Sequence, residues 1–227
     1  MLALGGRARR GVHVAMTVAV VAAAAVAGTA APAGAAPAAG QSVGPGPTAV
    51  FSWGWNQNGE VGDGTTNHRA TPGPVLGLPS VHGLQVAVKQ LASAEDSQAC
   101  AVLLADGTVY TWGFNAFGEL GDGTTTERHT PVLVPGLSGI TQIAQGADHM
   151  LAAGAGGVVR AWGRNDYGQL GDGTTTERNG PVPVPGLTGT TTSRPAPGPV
   201  PGLTGIIQVA AAGDVSYALR SDGTLFA

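Results

Sequence analysis

The chain has 227 residues, among them 38 glycines, 16 prolines and a single cysteine, and carries a formal net charge of −3. One cysteine cannot close an intramolecular disulfide, so a domain of this size must be held by its core and its strand pairing. The acidic balance speaks against nucleic acid and anionic membrane surfaces as partners.

Reading from the N-terminus, Arg7, Arg9 and Arg10 precede an uncharged run over residues 12–29, followed by an Ala/Pro/Gly stretch with small-x-small sites. This is the layout of a secretory signal peptide, assigned here to residues 1–36 with cleavage between Ala33 and Ala39, and followed by a linker over residues 37–48. A transmembrane anchor is the alternative, but the run is barely long enough and is mostly Ala and Val. The Arg9-Arg10 pair lacks the rest of a twin-arginine consensus. The expected location is therefore extracellular. Cys100 lies far from any mature N-terminus, which removes lipid attachment there, and its place in an apolar run reads as a small buried hydrophobe. Loss of the leader takes three arginines with it, leaving eight basic against fourteen acidic residues and a mature net charge near −6.

From residue 49 onward one motif recurs: WGWNQNGEVGDGTT from Trp53, WGFNAFGELGDGTT from Trp112 and WGRNDYGQLGDGTT from Trp162. Close self-similarity at a fixed period means equivalent structural units. Trp112 to Trp162 sets that period at fifty residues. Within it the pattern predicts four short strands: Ile140 to Ala144, His149 to Ala153, Val158 to Trp162 and Pro181 to Val184. The preceding copy predicts Val86 to Leu91, Gln98 to Leu104, Thr108 to Trp112 and Pro131 to Val134. Asp106-Gly107, Gly156-Gly157 and Asp222-Gly223 fall between the second and third strands, where positive φ closes a tight hairpin. Pro-Gly-Leu at Pro135, Pro185 and Pro201 marks the handover between units. No helical period appears after residue 40. The prediction is an all-β chain of four-stranded propeller blades, with glycine and proline serving turns rather than disorder.

The pattern W-G-x-N-x-x-G-x-L-G-D-G-T, then P-x-x-V, then I-x-x-I-A and a second strand ending at D-G-x-V, resembles the repeat of the regulator of chromosome condensation family over residues 49–227. The resemblance implies a β-propeller, usually of seven blades. The family's nuclear member is a nucleotide exchange factor for a Ras-like GTPase, a role that an export signal and an acidic chain make unsuitable here. A secreted bacterial propeller of similar repeat inhibits β-lactamases, although its loops are shorter and lack the GDGT segment.

The last interval contains PVPGLTG twice, at Pro183 to Gly189 and at Pro199 to Gly205, a tandem copy of the connector. Residues 222–227 match 106–111, which precede Trp112, so the next tryptophan is expected at position 228. Thirteen strands, or about three and a quarter blades, are expected, fewer than a closed ring needs. The sequence thus reads as an open arc, a fragment of a longer protein; closure by several arcs associating through their unpaired edges is the alternative.

Propeller strand order puts the first-to-second and third-to-fourth turns on one face. Candidate contact residues there are the acidic turn residues Asp96, Asp148 and Asp214, the loop arginines Arg128 and Arg178, and the variable positions Trp55, Phe114 and Arg164, with Phe117 and Tyr167 nearby. Aromatic and Arg side chains are the types that anchor interfaces, and long loops on a rigid scaffold concentrate binding residues. The same loops have a structural reading: Asp63, Asp122 and Asp172 with their glycines make tight turns, and the threonines satisfy local backbone groups. Trp53, Trp112 and Trp162 read as packing between blades with a satisfied indole N–H.

No cofactor or metal is expected. Oxygens cluster at Asn165, Asp166 and Asp172, but no calcium-loop pattern accompanies them. His149 is an obvious general base, yet no nucleophile motif or paired Cys/His gives it a task, and His68 and His129 lack a second ligand at metal spacing. The expected function is non-enzymatic: a secreted module that docks a protein or a cell-surface polymer through one loop face, with self-association through open edges as a further route. A secreted enzyme inhibitor is one alternative. A carbohydrate-processing propeller, needing paired carboxylates such as those of Asp96, Asp148 and Asp214 in one channel, is another.

Overall fold

The computed structural model describes residues 17–22, 48–81, 84–94, 96–184 and 205–227. The rest of the segments expected to be signal peptide and linker, up to residue 47, and the duplicated connector over 185–204 lie outside the described residues.

Two complete four-stranded antiparallel sheets form the middle of the molecule. One contains β6 (Val88–Ala92), β7 (Ala99–Leu104), β8 (Val109–Gly113) and β9 (Arg128–Leu133), in that order across the sheet. The other contains β10 (Ile140–Gln145), β11 (His149–Gly154), β12 (Val159–Gly163) and β13 (Arg178–Pro183). They are flanked by a sheet of β1 (Thr17–Ala22), β2 (Thr48–Gly54) and β3 (Arg69–Pro74), and by one of β14 (Ile206–Ala212), β15 (Val215–Arg220) and β16 (Leu225–Phe226). A two-residue hairpin, β4 (Ser80–Val81) with β5 (Leu84–Gln85), sits between the first sheet and the second. The arrangement is an arc of propeller blades, not a closed ring.

The predicted strands reappear within a few residues of their expected bounds. The fourth strands differ most, beginning at Arg128 and Arg178 because those residues pair with Gly113 and Gly163 across a bulge. The hairpin turns close through Gly107 at φ 84°, Gly156 and Gly157 at φ 81° and 78°, and Gly223 at φ 87°, the left-handed backbone that glycine adopts without penalty.

β1 falls within the segment that the sequence assigns to a signal peptide, residues 1–36. It runs antiparallel to β2, with Thr17 opposite Trp53 and Val20 opposite Val50, in the place the second strand holds in a complete blade. The physical reason is an open edge: the WG strand of the first sheet presents unpaired N–H and C=O groups, and a Thr/Val/Ala segment has the composition of a strand. Among the described residues, no helix is long and apolar enough to cross a membrane.

The core lies between blades. All six residues of β7, Ala99 to Leu104, are buried, which explains a continuous apolar run where a one-sided sheet would alternate. Cys100, Val102 and Leu104 face backward to join Val50, Val75 and Trp112, while Ala101 and Leu103 face forward to join Ile140, Ile143, Met150 and Trp162. The next seam repeats the scheme with Leu151, Val159, Leu170, Ile206, Val209 and Phe226. The Cys100 thiol lies within this packing, and burial, with the Glu60 charge, pushes its pKa up. Glutamine side chains add polar ties between first strands. Gln90 accepts from the Ile143 N–H at 2.9 Å and donates to its carbonyl at 2.7 Å; Gln142 does the same to Val209 at 2.9 and 3.2 Å.

Candidate protein-binding face

Each repeat loop is built around a buried asparagine. The Asn115 carbonyl oxygen accepts from the Leu120 N–H at 2.9 Å, and its amide donates to the carbonyls of Thr124 and Thr126 at 3.1 and 2.9 Å. Asn56 and Asn165 repeat these bonds, and all three are fully buried. The loop therefore closes on its own side chain, because backbone groups removed from water must find a partner.

The GDGT segment is a second closed system. Asp122 Oδ1 accepts from both the N–H and the hydroxyl of Thr124, at 2.9 and 2.7 Å, and Oδ2 accepts from Arg128 Nε at 2.7 Å. Asp172, Thr174 and Arg178 do the same. Burial raises the pKa of Asp122, but the Thr124 and Arg128 hydrogen bonds and the Arg128 charge outweigh it and hold the carboxyl below its ordinary range. Arg128 and Arg178 thus clasp their own loops, where the sequence suggested tips reaching for a partner. The clustered oxygens near Asn165 are engaged in the same way, and Asp166 accepts from Arg164. Among the described residues, no group of three or more His, Cys, Asp or Glu side chains is arranged to hold a metal.

The tryptophans sit in the seams as the sequence suggested. Trp112 and Trp162 are fully buried, and their indole N–H groups donate to the carbonyls of Glu60 and Glu119 in the preceding blade, at 2.7 and 2.9 Å. Trp53, in the first sheet, is half-buried. The seam also accounts for one glycine of GDG: a Cβ on Gly121, at φ 67°, would stand 2.6 Å from Trp162 Nε1.

The turn preceding the second strand and the loop following the tryptophan do share a face. Arg164 N–H donates to the Asp148 carbonyl at 2.8 Å, and Phe114 N–H to the Gln98 carbonyl at 2.9 Å. These bonds correct one equivalence. Asp148 and Asp214 immediately precede their second strands, and Gln98 holds that place in the earlier blade. Asp96 lies two residues ahead, exposed in the turn, because this turn is two residues longer and the acidic residue slides off the shared position. Asp148 accepts from Arg164 at 3.2 Å, and Asp214 accepts from Gln169 in the preceding blade at 3.4 Å.

The variable positions converge into a patch. The Arg164 guanidinium lies 5.0 Å from the centre of the Phe117 ring and 5.8 Å from that of Tyr167, and Phe114 meets Phe117 edge-on at 6.3 Å. Asp148 and Asp166 fix the guanidinium, and this pairing raises the Arg164 pKa further. Tyr167 is 67% exposed. Trp55, in the first sheet, stacks on His68 at 4.5 Å, which keeps that histidine in a structural role, its Nδ1 accepting from the Asn56 N–H.

His149 is buried, with Nε2 2.8 Å from Ser216 Oγ. Ser216 donates its proton to the Gln169 carbonyl at 2.7 Å, so Nε2 is the donor in the pair and cannot act as a base toward that hydroxyl. Burial lowers the His149 pKa to about 4, with the Asp214 charge opposing. The sequence missed Glu119. It is 2% exposed, Oε2 accepts from the Phe117 N–H at 2.9 Å, and buried Oε1 has no hydrogen-bond partner. Burial pushes its pKa up to about 7, with the Asp148 and Glu177 charges adding.

A loop-bearing propeller arc with tryptophan-sealed seams and a self-clasped Asn/GDGT loop in each unit defines a class of repeat protein. The regulator of chromosome condensation (RCC1) repeat model matches residues 49–95, 106–153 and 157–192, and a second model of that repeat matches 140–169. The chain belongs to this repeat family. It is 39% identical over 106 residues to the human E3 ubiquitin-protein ligase HERC2, covering 46% of this chain and 2% of that one. It is 34% identical over 105 residues to the ultraviolet-B receptor UVR8 of Arabidopsis thaliana, covering 45% and 22%. The chain thus spans less than a quarter of the length of these relatives. Among solved structures, human WBSCR16 superposes with TM-score 0.58 at 24% identity, covering 81% of this chain and 44% of that one. Prp20p of Saccharomyces cerevisiae, described with its binding to Gsp1p and histones, gives 0.58 at 18%, covering 75% and 39%. Yeast RCC1 (Prp20) bound to Kap60 gives 0.54 at 22%, covering 78% and 38%. At these identities the likeness establishes the fold.

Proposed function

We propose that this chain is a secreted, non-enzymatic binding module that docks a protein through the face carrying Phe114, Phe117, Arg164 and Tyr167. The observation that carries the reading is the exposed Tyr167 beside a guanidinium held between two rings and two carboxylates. Aromatic and Arg side chains that are already ordered lose little entropy on binding and are the usual interface anchors. The loops around them are closed on themselves and rigid, so the patch is presented ready-formed. The yeast neighbours were described with protein partners, which accords with docking as the mode of action. Export rests on the N-terminal Arg/apolar/small-residue layout alone. Asp148 serves this face by orienting Arg164, whereas Arg128 and Arg178 serve it only by keeping the loops closed.

The test is a photo-crosslinking residue placed at Tyr167 and, on the opposite face, at Asp106, in protein added to the producing organism's own surface and medium. Capture of one discrete protein from Tyr167 and not from Asp106 supports the reading; equal capture at both, or capture from Asp106 alone, overturns it. Inhibition of a secreted hydrolase is a narrower form of the same docking and is distinguished by whether the captured protein is an enzyme that loses activity.

A further inference from the structure

The three seams share one polar arrangement with different residues in it. A residue of the loop, Glu60, Glu119 or Gln169, meets the position before the next blade's second strand, Gln98, Asp148 or Asp214. At the first seam Asn58 bridges the two: its N–H and amide engage both Glu60 oxygens at 2.9 and 3.0 Å, and the same amide reaches Gln98 Oε1 at 3.0 Å. At the third, Gln169 accepts from the Tyr167 N–H at 3.0 Å and its Nε2 donates to Asp214 at 3.4 Å. Both seams therefore contain an amide donor between the acceptors.

The middle seam has none. Phe117 occupies the place of Asn58 and offers only its backbone N–H, which Glu119 Oε2 accepts. Glu119 Oε1 holds the position of Gln169 Nε2, is buried, and has no hydrogen-bond partner. The group ahead of it is the Asp148 carboxylate, close enough for its charge to act on Glu119. Glu119 is buried and Asp148 is partly exposed, and a second carboxylate facing a buried one disfavours the charged form of the buried one. A proton on Oε1 restores the donor that the other seams obtain from an amide.

We propose that Glu119 and Asp148 share one proton across the seam between the two complete blades, Glu119 Oε1–H donating to the Asp148 carboxylate, so that this seam weakens when the proton leaves. The charged groups facing the pair are Arg164, on the other side of Asp148, with Asp166 beyond it, and Glu177 from the following loop. Arg164 pairs with Asp148 at 3.2 Å, and Glu119 is the buried carboxyl of the two, so the proton is assigned to Glu119. His149 follows Asp148 in sequence but bonds Ser216 at the next seam. The inference does not depend on what the face binds, since its readouts are titration and stability.

The test uses the full chain. Glu119→Gln supplies the missing donor permanently, so its melting temperature should exceed that of the wild type by a margin that widens from pH 4.5 to pH 7 and then levels. Taking the difference removes titrations common to both proteins. Asp148→Asn should move the Glu119 carboxyl titration, followed by carbon NMR, downward, while burial, the larger cause, keeps it above the ordinary carboxylate range. A margin that does not change with pH, or a Glu119 midpoint unmoved by Asp148→Asn, overturns the proposal. If Glu119→Gln fails to fold, the Asp148→Asn titration decides.

Discussion

The indole N–H of Trp162 donates to the main-chain carbonyl of Glu119 at 2.9 Å, from one blade into the loop of the blade before it. That bond, repeated by Trp112 to the Glu60 carbonyl, explains the tryptophan at both of these seams: the ring fills the seam and the N–H satisfies a carbonyl that packing has removed from water. Trp162→Phe should leave the Glu119 carbonyl unsatisfied and open a small void. The expected loss is about 2 to 4 kcal/mol, read by denaturant unfolding; a loss below about 1 kcal/mol would show that the bond is not a seam tie.

Gly121 and Gly123 separate the steric part of the seam from the conformational part. Both have positive φ, 67° and 86°, but only Gly121 would drive a Cβ into Trp162; Gly123 has nothing within 4 Å. Gly123→Ala should cost about 1 kcal/mol from backbone strain. Gly121→Ala should cost at least about twice that, because a packed ring cannot yield as a flexible side-chain end can. Equal losses would remove the seam from the explanation of the GDG motif.

Arg128→Ala should loosen its own loop and little else. The Arg128–Asp122 pair is half-exposed on the arginine side, so its contribution is discounted to about 1 kcal/mol. Hydrogen exchange at the Thr124 and Thr126 amides, held by Asp122 and by Thr124, should accelerate, while β6 to β8 amides stay protected. Unchanged exchange in the loop with lost partner capture would return Arg128 to the contact surface.

His149 and Glu119 act oppositely on stability. His149 titrates near 4 in the fold against 6.5 free, so the stability it contributes is complete above pH 6.5 and lost as pH falls toward 4. Glu119 titrates near 7 against 4.5, so its contribution is complete below pH 4.5 and lost as pH rises toward 7. Between pH 4.5 and 6.5 the two slopes largely cancel in the wild type. Glu119→Gln should expose the His149 slope, a loss of roughly 3 kcal/mol on acidification from pH 6.5 to 4, measured by denaturant midpoints across that range. A flat profile in this variant would place His149 outside the buried seam.

Fold and seams were legible in the sequence because repetition does there what periodicity does in a helix: Trp, Asn, Gly and Asp recur at one spacing, and each recurrence has a single geometric task. The patch around Arg164 was legible only as a set of positions that vary. That Arg164 lies on Phe117 of the preceding loop depends on how neighbouring blades stack, which no local pattern records. The bonds of Arg128 and Arg178 to Asp122 and Asp172 were illegible for a related reason, since a Glu-Arg pair at the end of a polar loop looks the same whether the guanidinium points out or folds back. Glu119 escaped notice because Glu, Glu and Gln at one position look interchangeable. Their difference emerges only against Gln98, Asp148 and Asp214 across the seam.

The indole bonds of Trp112 and Trp162 run one way, from the tryptophan to the loop of the unit before it, while each loop's asparagine closes its own backbone. A unit copied or deleted whole, cut at equivalent points of two loops, therefore leaves every indole with an acceptor and every loop with its own asparagine. This grammar lets a gene lengthen or shorten the array by unequal exchange without stranding an indole N–H, and the variable side chains of each new unit arrive already mounted on the same face, free to diverge.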